Sequence, residues 1–388
     1  MSSENDQPID NPTGPTKRKY GNDAYGRKKP RTKQNRTEAD IWRDRVTAHG
    51  RAIGRDADAF SLPRHVIDTG IETDDEDEIE DSNTDQPSPE QRIWKESYNK
   101  YKLVYRALEA DIVNSGQKSY ISKERIEDFL WEGIKGARQT DVHLIRSDIG
   151  KYYEFDPSIE RLAKNLRGPF HPGTGVLLCP ANLDWNDEAV QERLRRGEES
   201  VGPDTLFYFM YSDYAPVPTA LNRGLLRSDI LVTAYKAVFF GPSAATASPN
   251  RTESKATKSG NAVLGGITKV TPAAIAYIAC LVSAAPISDT LLARSQRLLN
   301  KVRFSLSAET SLTPGAVHGF DNCGFYRAIV SMLESAKPSA VRQRWRTELL
   351  QWWNARCFPR THAPTTSHVI SLQDMLLAQE EEQEEEEE

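Results

Sequence analysis

The chain has 388 residues and a net charge of −6, and only the stretch from about 91 to 358 carries enough apolar side chains for a core, which points to one domain. It contains no run of about 18 apolar residues and opens on MSSENDQP, so we expect no membrane span, no secretory signal and an intracellular protein. Its four cysteines, at 179, 280, 323 and 357, lie too far apart for a zinc ribbon or a disulfide framework.

Residues 1–87 form a charged arm that we expect to be disordered, because few large apolar residues offset the entropy of ordering it. Residues 16–36 carry nine Lys/Arg against one acid, whereas residues 72–90 carry ten acids and no base. Between these segments, the pattern at 41–52 predicts a short helix that is held only weakly.

Two basic clusters in the arm resemble a bipartite nuclear import signal, since they lie about ten residues apart on a chain expected to be disordered. They consist of Lys17, Arg18, Lys19, Arg27, Lys28, Lys29 and Arg31. The pattern predicts a nuclear protein that binds an import adaptor. The alternative is a solvated basic tail that attracts any polyanion, and both interpretations can hold together.

The acidic segment contains candidate phosphorylation sites at Thr73, Ser82 and Ser88. A phosphate on Ser88 would lie at the N-terminus of the first predicted helix of the domain and would stabilise that helix.

Residues 88–359 are expected to form a helical domain. Its first helix would begin at Ser88 and place large side chains on one stripe through steps of three and four residues, at Trp94, Tyr98, Tyr101, Tyr105, Leu108 and Ile112. We expect this stripe to dock on the core rather than form a coiled coil. A second helix is predicted from Ser122, with residues 126–134 facing inward, and a third from Asp156.

Loops and short elements are predicted for the middle of the domain. Residues 168–185 have the composition of a loop with a candidate strand at 176–178, and a helix from Asp187 to Arg196 follows, ended by Gly197. Residues 206–211, LFYFMY, are the best strand candidate. An amphipathic helix is predicted over 227–240 and a polar loop over 243–260.

Four more helices are predicted, at 271–285, 289–306, 321–335 and 339–357. The buried stripe of the last one is expected to be Val341, Trp345, Leu349 and Trp352. Residues 360–388 are expected to be a disordered tail, with eight Glu between 380 and 388. The predicted fold is mainly α: a single irregular multi-helix domain with at most one or two short strands, flanked by disordered charged arms.

The last helix also mixes arginine with tryptophan, which is typical of proteins that bind single-stranded nucleic acid. Its candidate polyanion-binding residues are Arg342, Arg344, Arg346 and Arg356, and Lys255 and Lys258 in the polar loop are added to them. The alternative is that the tryptophan stripe is a core face and the arginines simply face water.

No catalytic or metal-binding pattern is recognisable, since the seven histidines are scattered and no G-x-S-x-G occurs. We therefore expect neither cofactor nor metal, and no enzymatic activity. One alternative is an enzyme with a site assembled from loops 168–185 and 241–261. A separate catalytic alternative is a Cys/His dyad assembled in space, such as Cys179 or Cys323 with His171 or His318. Another is a scaffold that binds a second protein through the 94–112 stripe or the tryptophan helix.

Four blocks of the sequence resemble a large family of uncharacterised mushroom-type (basidiomycete) fungal proteins. They are 171–187 (HPGTGVLLCPANLDWND), 227–245 (RSDILVTAYKAVFFGPSAA), 257–279 (TKSGNAVLGGITKVTPAAIAYIA) and 348–359 (ELLQWWNARCFP). The resemblance implies a domain of unknown function over most of 90–359 and supplies no catalytic residues. The chain departs from the family pattern at about 285–301, before VRFSLS.

Residues 91–358 alone carry a net charge of +8, because the rest of the chain is acidic overall. The leading hypothesis is a nuclear, non-enzymatic binding protein whose basic domain and basic arm engage nucleic acid or chromatin. The acidic segments are expected to compete for the same basic surfaces.

Overall fold

The structure is a computed structural model that describes residues 37–68, 98–99, 102, 123–159, 168–199, 201–246, 260–284, 320–334 and 339–359. Contacts divide the chain into two units, Met1–Ile41 and Trp42–Glu388. In the first unit, Thr37 and Asp40 cap the start of a helix reciprocally: the backbone N–H of each residue donates to the side chain of the other. The core and the candidate site lie in the second unit.

Helices make up most of the described part of the chain. They are α1 Glu38–Asp56, α2 Lys123–Tyr152, α3 Pro172–Leu177, α4 Glu188–Arg196, α5 Asp229–Phe239, α6 Pro242–Ala245, α7 Asn261–Leu264, α8 Pro272–Ser283, α9 Asn322–Leu333 and α10 Ala340–Cys357. Within the described ranges no strand occurs, and the extended backbone pairs only at two isolated bridges, Pro180 with Phe207 and Tyr211 with Leu225. The predicted mainly α fold class is confirmed.

Local capping signals explain where several helices begin. Thr271 caps α8 by accepting a hydrogen bond from the Ala274 N–H at 3.1 Å, with Pro272 at the first helical position. Asp187, Asp321 and Ser339 cap α4, α9 and α10 in the same way. These four predicted starts are confirmed, and Gly197 ends α4 as expected with φ of 71°.

The core is built around α5 and α8. Every residue of α8 is buried, which agrees with the almost uninterrupted apolar sequence of this helix. α5, α9 and α10 pack in the same hydrophobic cluster, together with the second half of α2. Three turns of 3₁₀ helix, at Gly168–Phe170, Tyr208–Met210 and Ser212–Tyr214, lie on the chain between α2 and α5.

Two predicted strands are wrong. Residues 176–178 lie at the end of α3, because Pro172 and the His171 ring, which accepts from the Thr174 N–H at 3.3 Å, start a helix there. Within the described residues, no strand lies beside 206–211 to form a sheet. The centre of this segment forms a 3₁₀ turn that buries Phe209 and Met210. The helix predicted from Asp156 is also wrong for its described part, since 156–159 are not helical.

The N-terminal boundary of the fold also needs correction. α1 and α2 cross so closely that a Cβ atom on Gly133 would lie 2.2 Å from the Thr47 carbonyl oxygen, and one on Gly50 would lie 2.2 Å from that of Leu130. The Arg55 guanidinium binds both carboxylate oxygens of Asp141, at 2.7 and 2.9 Å, inside the protein. The prediction of a disordered arm over 1–87 with a weakly held helix is therefore wrong for 42–68. The boundaries at 88 and 359 stay predictions.

The buried face of α10 is rotated relative to the predicted stripe. Leu349, Trp353 and Cys357 are its buried residues, whereas Val341 is 78 % exposed and Trp352 is half-buried. The Trp353 indole N–H donates to the Leu226 carbonyl at 2.9 Å, which fixes this rotation. Residues 289–306 and most of the 94–112 stripe lie outside the described residues. Of that stripe, Tyr98 is described and is buried, as docking on the core requires.

Candidate polyanion-binding surface

Two arginines from two parts of the chain meet on one tryptophan ring at the C-terminal end of α10. The hydrogen bond from Trp353 to Leu226 holds the segment before α5 against this helix. As a result, the Arg227 guanidinium lies 5.9 Å from the centroid of the Trp352 ring, and the Arg356 guanidinium stacks on the same ring at 3.9 Å. Both distances are typical of cation–π contacts, which hold an arginine side chain in place while leaving its N–H edge available.

Lys236 on α5 is the third cation. Burial raises the pKa of the neighbouring Cys357 thiol to about 12, and the positive charges of Lys236 and Arg356 oppose that rise. Lys236 directly follows Tyr235, whose ring lies 5.6 Å from that of Trp353 and 6.5 Å from that of Phe358, so the backbone of Lys236 lies beside the end of α10. We call Arg227, Lys236 and Arg356, grouped around Trp352 and Cys357, the α10 cation cluster.

No ion pair neutralises the α10 cation cluster within the part of the chain that the structure describes: no carboxylate lies within 4.0 Å of its three cations. The arginines of α4 provide the contrast. Arg193 binds Glu199 at 2.6 Å and Arg196 binds Glu192 at 2.8 Å, so their charges are balanced locally. Their expected structural role at the helix C-terminus agrees with this pairing.

Charge is also segregated between two halves of the described domain. The described residues of 123–214 carry nine Lys/Arg against sixteen Asp/Glu, whereas those of 215–359 carry nine against four. The positive charge of the described domain is thus concentrated in the half that contains α5 and α10. The described residues of 91–358 together carry a net charge of −1, so the net positive charge of the core lies in segments outside the described residues.

The predicted arginines of α10 do not share one surface. Arg342 and Arg344 are exposed near the N-terminal end of the helix, and Arg346 lies 4.0 Å from Glu334, the residue directly after α9. Only Arg356 belongs to the α10 cation cluster. Sequence reasoning missed Arg227 and Lys236, because nothing in the spacing of one helix shows which cations of other segments pack beside it.

Several predicted sites lie outside the described residues. These are the polyanion-binding Lys255 and Lys258, the import signal at Lys17, Arg18, Lys19, Arg27, Lys28, Lys29 and Arg31, and the phosphorylation sites Thr73, Ser82 and Ser88. Lys255 and Lys258 lie in the sequence between Thr246 and Gly260, and Gly260 packs against the backbone of Phe239 and Phe240 at the end of α5.

A second cluster of ionisable groups is buried where α1, α2 and α8 meet. Asp141 accepts from the Tyr277 hydroxyl at 2.8 Å in addition to its two bonds with Arg55. Arg138 lies nearby, 2 % exposed, between the rings of Trp131 and Phe60, and its burial lowers its pKa. We call Arg55, Arg138, Asp141 and Tyr277 the buried ionic cluster. Because solvent hardly reaches it, its role is to join helices.

His171 forms no hydrogen bond with a cysteine thiol among the described residues. The His171 ring bonds the Thr174 N–H through Nδ1, and its buried Nε2 has no hydrogen-bond partner, so it contacts no thiol in this way. Burial raises the pKa of Cys179 to about 12, which makes it a poor nucleophile. Among the described residues, no group of three or more His, Cys, Asp or Glu is placed to hold a metal ion. His318 lies outside the described residues.

Two residues of the proposed scaffold surfaces, Tyr98 and Trp353, are buried in the fold and therefore unavailable to a partner.

None of the described helices is both long and apolar enough to cross a bilayer.

No curated protein and no solved structure matches the chain. A match to a known family covers more than half of it, over residues 132–297 and 298–358. The match divides at 297/298, within the region where the sequence blocks depart from the family pattern. It includes α3 to α10 and the α10 cation cluster. The chain therefore belongs to the family of unknown function DUF6698.

Proposed function

We propose that this protein is a non-enzymatic nucleic-acid-binding protein of the nucleus, and that its folded unit contacts the phosphate backbone through the α10 cation cluster. The observation that carries the proposal is a set of three cations with no carboxylate partner among the described residues, one of them stacked on an indole at 3.9 Å. A stacked guanidinium keeps its forked N–H edge, which matches the geometry of a phosphate.

The basic segment 16–36 supports the same proposal. Its nine Lys/Arg supply the sequence-independent attraction that releases counterions from nucleic acid, and its two clusters have the spacing of an import signal. Nuclear localisation, the import adaptor as a partner and the mushroom-type fungal distribution of the family remain predictions. Fluorescence microscopy of the tagged chain, with Lys17–Lys19 and Arg27–Arg31 neutralised as the comparison, tests the first.

Binding of labelled oligothymidylate by the full chain, followed by fluorescence anisotropy, tests the role of the cluster. We expect the double variant R227Q/R356Q to bind at least about five-fold more weakly at about 50 mM salt, and to lose roughly 1.4 from the slope of log K against log salt. The reason is that each phosphate contact with a single strand contributes roughly 0.7 to that slope.

The matched control is R193Q/R196Q, which removes two arginines of the same chain that are already paired with glutamates. We expect its affinity and slope to stay near those of the unchanged chain. Equal losses in both double variants would show that only net charge matters, and the cluster would then not be the binding surface. Circular dichroism checks that all variants are folded.

A further inference from the structure

The last described residues of the chain, Phe358 and Pro359, lie beside the α10 cation cluster. Phe358, directly after α10, packs edge-on against Phe240 at 5.2 Å and against Tyr235 at 6.5 Å, which anchors the end of the helix. Pro359, the next residue, is exposed. Residues that follow Pro359 therefore start within one helical turn of Arg356.

The sequence that follows contains a ligand of matching chemistry. Eight glutamates occupy 380–388, and twenty-one residues separate Phe358 from Glu380. A chain of that length can span up to about 70 Å, so its length does not prevent a return to the cluster. A carboxylate binds the forked edge of a guanidinium in the same way as a phosphate does, so this segment and nucleic acid suit the same three cations.

The other acidic segment, 72–90, is attached elsewhere. The described residues on its two sides include Ile67 and Tyr98, which pack in the hydrophobic cluster of α1 and the start of α2 and not beside α10. Proximity along the chain therefore favours residues 380–388 as the occupant of the α10 cation cluster.

We propose that residues 380–388 dock on the α10 cation cluster of their own chain and exclude nucleic acid from it. A tethered segment acts at an effective concentration on the order of millimolar, which is sufficient to occupy a weak site for much of the time. The regulatory consequence rests on the proposed function, whereas the docking does not.

Cross-linking of the full chain with a carbodiimide, which joins a lysine amine to a carboxylate in direct contact, tests the docking without nucleic acid. We expect peptides that link Lys236 to residues 380–388 to exceed those that link Lys135 by at least roughly five-fold at low salt, because only Lys236 belongs to the cluster. Lys135 is an exposed lysine of α2 and serves as the internal control. High salt should remove the difference, because the contact is between charges.

The double variant R227Q/R356Q should lower the yield at Lys236, although that lysine is unchanged, whereas R193Q/R196Q should leave the yield as it is. Equal cross-linking of Lys236 and Lys135 in the unchanged chain would overturn the docking. So would a yield at Lys236 that is insensitive to R227Q/R356Q.

Replacement of all eight glutamates of 380–388 by glutamine tests the consequence. Affinity for oligothymidylate should rise about three- to ten-fold at about 50 mM salt, and this gain should disappear in the R227Q/R356Q background. Cross-linking at Lys236 with no oligothymidylate binding in any variant would refute the proposed function and leave the docking standing. Binding that depends on the cluster but not on the glutamates would refute the docking and leave the function standing.

Discussion

The carboxylate of Asp141 determines whether the buried ionic cluster is stable. It is 1 % exposed, and three hydrogen bonds, two from Arg55 and one from Tyr277, satisfy its two oxygens. Arg138 is less well compensated: its Nη1 donates to the Ala59 carbonyl, but its Nε and Nη2 have no hydrogen-bond partner among the described residues. Removal of Asp141, which leaves Arg55 without its counter-charge, should therefore cost more stability than removal of Arg138.

Asp141→Ala should lower the free energy of unfolding by about 3 to 5 kcal/mol, because it leaves the Arg55 guanidinium buried without a counter-charge. Arg138→Met should cost at most about 1 to 2 kcal/mol, since it removes a desolvated charge and loses one hydrogen bond. Urea denaturation of both variants measures the difference. A larger loss for R138M than for D141A would show that the Trp131 and Phe60 rings stabilise Arg138 more than its unpaired N–H groups penalise it.

At the scale of elements, the close crossing of α1 and α2 depends on one glycine from each helix. Gly50 and Gly133 lie where the two backbones touch, so that side chains from neighbouring turns, such as Val46 and Leu130, close around the contact. Gly136, one turn further along α2, has only the end of the Arg51 side chain nearby, at 3.3 Å.

Gly133→Ala should lower the free energy of unfolding by about 1 to 3 kcal/mol, because the new methyl group would meet the Thr47 carbonyl and force the helices apart. Gly136→Ala should instead stabilise the protein by up to about 1 kcal/mol, since alanine favours the helix and the Arg51 side chain can move aside. Thermal unfolding of the pair is the measurement. Similar losses in both variants would mean that the helices do not cross at Gly133.

These same glycines explain what the sequence could not predict. Capping residues such as Thr271, Asp187 and Ser339 act within one turn, so the starts of α4, α8, α9 and α10 could be predicted locally. Glycine lowers the helix propensity of a segment, so Gly50 makes α1 look weak until its packing against α2 is known. The grouping of Arg227 with the predicted Arg356 was missed for a related reason. The two side chains reach the same Trp352 ring only after α10 has packed on Leu226.

At the scale of the whole molecule, the burial of uncharged tyrosine hydroxyls and cysteine thiols makes the fold less stable at high pH. Burial raises the pKa values of Tyr152, Tyr211, Cys179 and Cys357 to about 12. In the unfolded chain these groups titrate near about 10 for tyrosine and about 8.5 for cysteine. Their contribution to stability is therefore complete below about pH 8.5 and is lost as the pH rises toward 12.

The melting temperature should fall by roughly 5 °C or more between about pH 8 and about pH 11, because unfolding releases protons in that range. Tyr211→Phe should reduce this fall with little effect at neutral pH, since the Tyr211 hydroxyl is buried without a hydrogen-bond partner. Differential scanning calorimetry at a series of pH values measures both effects. A pH-independent melting temperature would mean that these hydroxyls and thiols are accessible to water in the folded chain.

The hydrogen bond between the Thr271 hydroxyl and the Asp56 carbonyl joins residues that are 215 positions apart, and it forms at the start of the most deeply buried helix. On a ribosome that adds about 5 to 20 residues per second, roughly 10 to 40 s pass between the appearance of these two partners. After α2 is complete at Tyr152, the nascent chain therefore carries α1 and α2 for roughly 6 to 25 s without Tyr277, which completes the shell around Asp141. The N-terminal helix pair reaches its final environment only when translation has passed residue 277.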